Sequence, residues 1–394
     1  MSNRFKRKIK TVSLLLVLAF LCSCSLNNNA ENKKADDNIE VPDLQNNTKT
    51  TSEWREDKGT GLSMEIVELD TSQYITWPDI YGDYVVFANY NIVTEERRQI
   101  HLFNTVTKKD QIIYSAKDVE YDSMIEDTRI GNGWVFWTEG HWTTEALPSD
   151  WTIKAYNIQN KQIKVIRSSS ELPGKPTLAP RIDNEENTIV WLEGSMDTDS
   201  SLKHTVYSYN ADSDTVTKIA DVSRVENPYT ITKLRNGTVC FADYINNNWV
   251  IRIIDLDTMT ETSVPVDKYP QQPCSDGKIV AWGEGVKELW YMNLKNQERG
   301  MVAVVKNPAL FDIHGGCIFT AVNTDDRHIY KCDVTNKAVT CVTKSAEQDY
   351  DKIDFRFFNF YGDKMVCVYD RTLYDEDHHP KGVKFDLVIV DDVI

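Results

Sequence analysis

The chain has 394 residues, 41% hydrophobic and 26% charged, with a formal charge of −16. That length is ample for a buried core. The acidity excludes nucleic acid and anionic membrane surfaces as electrostatic partners, because both recruit basic patches.

Arg4, Lys6, Arg7, Lys8 and Lys10 precede an apolar run from Val12 to Cys22. The run is shorter than the roughly 20 residues a bilayer span needs and has the length of a signal-peptide core, so residues 1–23 read as a signal peptide. Leu21-Cys22-Ser23-Cys24 resembles a bacterial lipobox. The resemblance implies lipid attachment at Cys24, which would become the mature N-terminus on the extracytoplasmic face of the cell membrane. Cys22 fits less well because bulky Leu21 precedes it. Each buried acyl methylene contributes about 0.8 kcal/mol, so more than one chain anchors stably. No second apolar segment follows, and the mature chain is expected to be tethered to the bilayer, not to span it. Removing five of 44 basic residues leaves 39 − 60, or −21.

Residues 24–62 comprise the lipidated cysteine and a segment rich in Asn, Lys, Asp, Glu and Thr, which reads as a disordered spacer. As a flexible coil it would hold the folded part roughly 30–35 Å from its anchor. Residues 63–394 are expected to form one domain.

Within that domain one phrase recurs seven times: Gly82-DYVVF, Asn132-GWVFW, Glu186-NTIVW, Asn236-GTVCF, Asp276-GKIVA, Gly315-GCIFT and Gly362-DKMVC. Each copy leads to a second strand-like phrase ending in Asx, at 104, 157, 210, 255, 293, 333 and 391. Asx side chains bond nearby backbone groups and stabilise tight turns. The vocabulary is Val, Ile, Tyr, Phe, Trp and Thr with turn residues at short intervals, and no stretch has helical periodicity. Repeats of about 40–50 residues with four strands each are the mark of propeller blades. The fold class is therefore all-β: a seven-bladed β-propeller of four-stranded antiparallel blades, with six or eight blades as the alternative counts. The last copy stops near Ile394 without a fourth strand, while SMEIVELD at 63–70 alternates like a strand and belongs to no blade. That N-terminal strand is expected to close the ring. Trp137, Trp191 and Trp282 occupy equivalent strand positions and read as interblade core.

From the first phrase to the Asx, the copies span 22, 25, 24, 19, 17, 18 and 29 residues. With strands of constant length, the excess falls in the loop between second and third strands of blades 7, 1, 2 and 3, which are neighbours on one face. Binding residues concentrate on loops carried by a rigid scaffold. The candidate ligand-binding residues are His141, Trp142, Glu145 and Trp151 in blade 2, and Tyr374, Asp375, His378 and His379 in blade 7. Exposed Trp beside carboxylates suits a sugar ring or an aromatic or cationic side chain.

Other motifs carry less. Asp375, Glu376, His378 and His379 are potential divalent-metal ligands, but adjacent histidines rarely face one centre, and the reading is a polar loop with no metal. NADSDTVTKIAD at 210–221 imitates a calcium loop but lacks glycine at its sixth position, and reads as a turn. No HExxH or G-x-S-x-G occurs, and no catalytic residue or cofactor is nominated. Cys332 and Cys341 flank a turn and are disulfide candidates, though buried free thiols are the favoured reading.

QPCSDGKIVAW at 272–282 and, more loosely, ITWPDIYGDYVVF at 75–87 resemble the repeat of TolB-like propellers of bacterial envelopes. The resemblance covers about 330 residues from 63 onward, and most copies lack its Ser-Pro-Asp-Gly core. It implies fold more than function, and many members have six blades, against seven here. The expected role is a monomeric, membrane-anchored extracytoplasmic module that binds an envelope protein or glycan. The alternative is a propeller enzyme acting on polysaccharide.

Overall fold

The computed structural model describes residues 54–57, 62–67, 74–90, 99–116, 123–142, 148–196, 201–226, 231–285, 288–302, 308–322, 328–343, 354–374 and 380–394. These residues form seven sheets joined in chain order, antiparallel but for one added edge strand, with a single 3-10 turn, Ser169–Glu171, as their only helix. Blade 1 contains Tyr74–Tyr81, Tyr84–Tyr90, Gln99–Asn104 and Lys109–Ser115, and the other blades repeat this four-strand meander. The first strands touch one another from blade to blade and so line the axis. The seven-blade count therefore stands, and the six- and eight-blade alternatives do not.

Each turn has its cause in the residues. The hairpin joining first and second strands needs left-handed backbone, which Asn-Gly and Gly-Gly supply at least cost. Asn132 and Gly133 have φ of 27° and 83°, and Asn236 and Gly237 have 51° and 68°. The turn between third and fourth strands is held by the expected Asx. Asn104 Oδ1 accepts from the Val106 and Thr107 amides at 3.1 and 2.7 Å, and Asp333 Oδ1 from Thr335 and Asn336 at 2.8 and 3.0 Å. Asn210 does the same with Asp212 and Ser213, so the calcium-loop imitation is a turn.

The described residues form seven apolar clusters, and each spans two neighbouring blades. One joins Phe87 and Phe103 of blade 1 to Val366, Val368 and Ile389 of blade 7, completing the circle. Trp137, Trp191 and Trp282 are fully buried in three others. A pleated sheet has two apolar faces, and a neighbour on each side covers both. A buried large apolar side chain contributes about 1.5–3 kcal/mol, so each wedge stabilises two blades at once.

Ring closure is by backbone pairing. Strand β1 (Arg55–Asp57) and strand β2 (Met64–Val67) precede the first blade. β2 is the outer strand of blade 7, with Met64 opposite Val390, Ile66 opposite Val388 and Val67 opposite Leu387. The structure corrects the spacer, which was expected to run to residue 62. β1 lies parallel to Ala338–Cys341 as a fifth strand on blade 6. Trp54 anchors it, its indole N–H donating to the Met301 carbonyl at 2.9 Å. No disulfide joins the six described cysteines. Cys332 faces Val339 and Cys341 faces Tyr330, so the two do not oppose each other across the hairpin.

Candidate functional site

Second-to-third-strand connections all leave from one face of the ring, the hairpin face; the tight turns leave from the other. The extra length of blades 2, 3 and 7 is largely strand, which corrects the assumption of constant strands. Lys364–Tyr374 and Pro380–Val390 have 11 residues each, Trp134–Trp142 and Pro148–Asn157 have 9 and 10, and Thr188–Met196 and Leu202–Asn210 have 9 each. Ile279–Glu284 and Glu288–Asn293 of blade 5 have 6 each. Pairing continues beyond the ring, so the additions are raised β-ribbons. Blade 1 differs: its second and third strands have 7 and 6 residues, and its excess falls in 91–98, outside the described residues.

The predicted binding residues separate. His141 and Trp142 end the second strand of blade 2, opposite Asp150 and Pro148 at the ribbon tip. Trp151 is a correction. It is only 1% exposed, packed with Ile153, Ala155 and Trp191 between blades 2 and 3. Alternation along Trp151-Thr152-Ile153-Lys154-Ala155 turns every odd residue inward, so Trp151 cannot meet a ligand at the surface. Tyr374 ends its strand opposite Pro380. Glu145, Asp375, His378 and His379 lie outside the described residues.

Sequence reasoning missed the axis. At the level where the first strand faces Val86, Phe136, Val190, Cys240, Ala281, Phe319 and Val366 of the second, the seven blades present Asp79, Arg129, Asp183, Lys233, Cys274, Asp312 and Asn359. All seven are buried. Asp79 accepts from the Ile80 amide at 3.0 Å and from the Ile130 amide of the next blade at 2.8 Å. Asp183 accepts from Arg129 Nε at 3.3 Å and Arg235 Nη1 at 2.7 Å. Asp312 of blade 6 accepts from Lys233 Nζ and Arg235 Nε of blade 4, both at 3.0 Å, and from Arg235 Nη2. Those bonds reach past blade 5, whose own Cys274 thiol donates to Asp312 Oδ1 at 3.2 Å. Burial alone would raise Asp312, but Arg235 and Lys233 outweigh it and hold its carboxyl well below the usual range. Burial dominates at Asp79, which is pushed up to about 6 against the pull of Arg129. Burial likewise raises Asp127, whose Oδ2 has no hydrogen-bond partner among the described residues.

Toward the hairpin face, the first strands of blades 1, 5 and 7 bulge, and Trp77, Gln272 and Phe357 take φ of 51°, 46° and 48°. Such backbone costs about 1–3 kcal/mol per residue. The bulges re-aim their side chains. Trp77 and Phe357 meet at 4.5 Å, and the Arg181 guanidinium of blade 3 lies 4.1 Å from the Trp77 ring centre. Arg181 Nη1 donates to the Glu126 carbonyl of blade 2 at 2.6 Å. This half-buried aromatic and cationic stack comes from blades 7, 1 and 3 and is tied to blade 2 through the Glu126 carbonyl. Pro78 and Pro273 inside strands were the available signal, since proline within a sheet marks an edge or a bulge.

Among the described residues no three potential ligands converge on a metal position, and no helix is long and apolar enough to cross a membrane.

No family model and no curated protein matches the chain. Solved structures do. The β-propeller domain of the Trilobed protease from Pyrococcus furiosus aligns at a TM-score of 0.53 and 12% identity, over 79% of this chain and 97% of that one. An oligogalacturonate lyase in complex with manganese aligns at 0.50 and 10%, over 85% and 98%. Pyrococcus horikoshii acylaminoacyl peptidase aligns at 0.53 and 10%, over 80% of this chain and 51% of the peptidase. At such identities the likeness is one of fold. The Pyrococcus furiosus domain has an open velcro topology, whereas here backbone pairing closes the ring; the chain is a seven-bladed β-propeller, and the structures it is similar to include peptidases and a lyase.

Proposed function

We propose that the protein is an extracytoplasmic lipoprotein, held to the cell membrane through Cys24, whose propeller binds an envelope protein or glycan on its hairpin face. The supporting observation is one of coincidence. The raised ribbons of blades 7, 2 and 3 and the Phe357–Trp77–Arg181 stack fall on neighbouring blades of the ring. The direction of β1 adds to this. Arg55 pairs with Ala338 beside the tight turn of blade 6, and its amide donates to the Lys337 carbonyl at 2.8 Å. A tether upstream of Trp54 would enter the domain on the tight-turn side, the side opposite the ribbons.

The test has two arms. Cys24→Ala should move the protein from the membrane fraction to the soluble fraction. The purified domain should retain a partner in pull-down or on a glycan array, and His141→Ala with Trp142→Ala should weaken that binding about tenfold or more. Unchanged binding of every recovered partner would remove the ribbon of blade 2 from the site.

A second reading, a polysaccharide-cleaving enzyme, draws on Asp79 and Asp127, acids of adjacent blades whose pKa burial raises. Raised carboxyls are what acid catalysis at neutral pH requires. Asp79 is tied to two backbone amides, which favours the binding reading. Polysaccharide turnover that Asp127→Asn abolishes would reverse that preference.

A further inference from the structure

The outer strands of blades 5 and 6 are short, Arg299–Met301 and Ala338–Cys341, against Lys109–Ser115 in blade 1 and Thr215–Val222 in blade 3. Trp54 sits in the groove where the two sheets meet, packed against the apolar cluster they share. Its ring meets Tyr291 edge-on, at 5.9 Å and 86°. The Lys337 ammonium lies 5.7 Å from the Trp54 ring and 4.4 Å from that of Tyr291, and Glu298 fixes it at 2.8 Å. Beyond the indole, β1 is held by three register pairs on one side only.

We propose that this groove and the edge of blade 6 form an exchangeable strand-binding site, filled in cis by residues 54–57 and open to the same segment of a second copy. The ingredients of peptide capture by strand addition are all present: an edge that supplies backbone bonds, and a pocket that selects an aromatic side chain. Only residues 58–61 separate β1 from the described residues that lead into β2. β2 can stay in its own blade 7 while β1 pairs with a neighbour, and exchange of an identical element is a low-cost route to dimers. The short connection gives the cis segment an effective concentration on the order of millimolar. The site therefore favours its own strand in dilute solution and exchanges only when copies are crowded.

Two full-length variants test this: one carries Arg55→Cys, the other Ala338→Cys, residues that face each other in the pairing. Arg55 is exposed and Ala338 half-buried, so the ring tolerates both. Mixed at rising concentration under mild oxidation, the two should yield a disulfide-linked heterodimer that neither gives alone. Adding Trp54→Ala to the Arg55→Cys chain should cut its yield about tenfold or more. A mixture that stays monomeric at every concentration, or a heterodimer indifferent to Trp54→Ala, overturns the proposal. A labelled peptide of residues 50–58 gives a second measurement. It should bind the full chain carrying Trp54→Ala at least about a hundredfold more tightly than the unaltered chain, and equal binding to both overturns the site.

Discussion

Asp79 shows how the axis sets the pH response of the whole ring. Its folded pKa is raised to about 6 by burial, while an unfolded aspartate titrates near 3.9. Between those values the folded state holds the extra proton, so this residue makes stability fall as pH rises from about 4 to about 6. The accumulated cost above pH 6 is on the order of 3 kcal/mol. Asp79→Asn removes the titration and keeps an acceptor for one of the two amides, which adds an offset that does not vary with pH. In urea unfolding, the stability difference between variant and parent should grow in the variant's favour across that window and level off above it. A flat difference would show that Asp79 is not the group responsible. Asp312 has the opposite sign: its lowered pKa contributes stability at neutral pH that is lost as pH falls through the acid range. None of this was legible. The seven equivalent axial residues are Asp, Arg, Asp, Lys, Cys, Asp and Asn, so no shared letter marks the position, and only strand register brings them to one level.

At the scale of the strand, reading succeeded where the signal was local. The Asn-Gly pairs and the Asx residues state their turns outright, and the alternation of SMEIVELD put β2 where it lies. It failed where an element's fate depended on a distant partner. The stretch around Trp54 is short and polar, and nothing in it announces the groove between blades 5 and 6. Trp151 failed for a different reason. Its period-2 context pointed inward, but the long spacing of blade 2 suggested a loop. β2 also carries a prediction. The Asp391 amide donates to the Ser63 carbonyl, so the alternation of an antiparallel ladder makes Glu65 and Val67 the β2 donors, and Val67→Pro removes one of them and leaves its partner carbonyl unpaired, at about 1–3 kcal/mol. The variant's melting temperature should drop by several degrees in a thermal scan.

For the molecule as a whole, the decisive fact is that the seven clusters form a closed series. No blade has a free face, so losing one uncovers two others. Intrinsic tryptophan fluorescence, dominated by buried indoles in blades 2, 3 and 5, and far-ultraviolet dichroism, which sees every strand, should therefore give coincident urea transitions. Two separated transitions would mean that an arc of the ring unfolds by itself. This global property was the most legible of all, because repetition at a fixed period is visible without knowing any contact. The ligand is the least legible, because it depends on ribbon tips where the repeat gives way to unique residues.

The amide of Asp391 donates to the carbonyl of Ser63 at 3.1 Å, so two sites more than three hundred positions apart in sequence are neighbours in space. Dyes placed at these points would report ring opening directly. Energy transfer between them would be near its maximum in the intact molecule and collapse when blade 7 lets go, turning the seam into an optical gauge for anything that pries it apart.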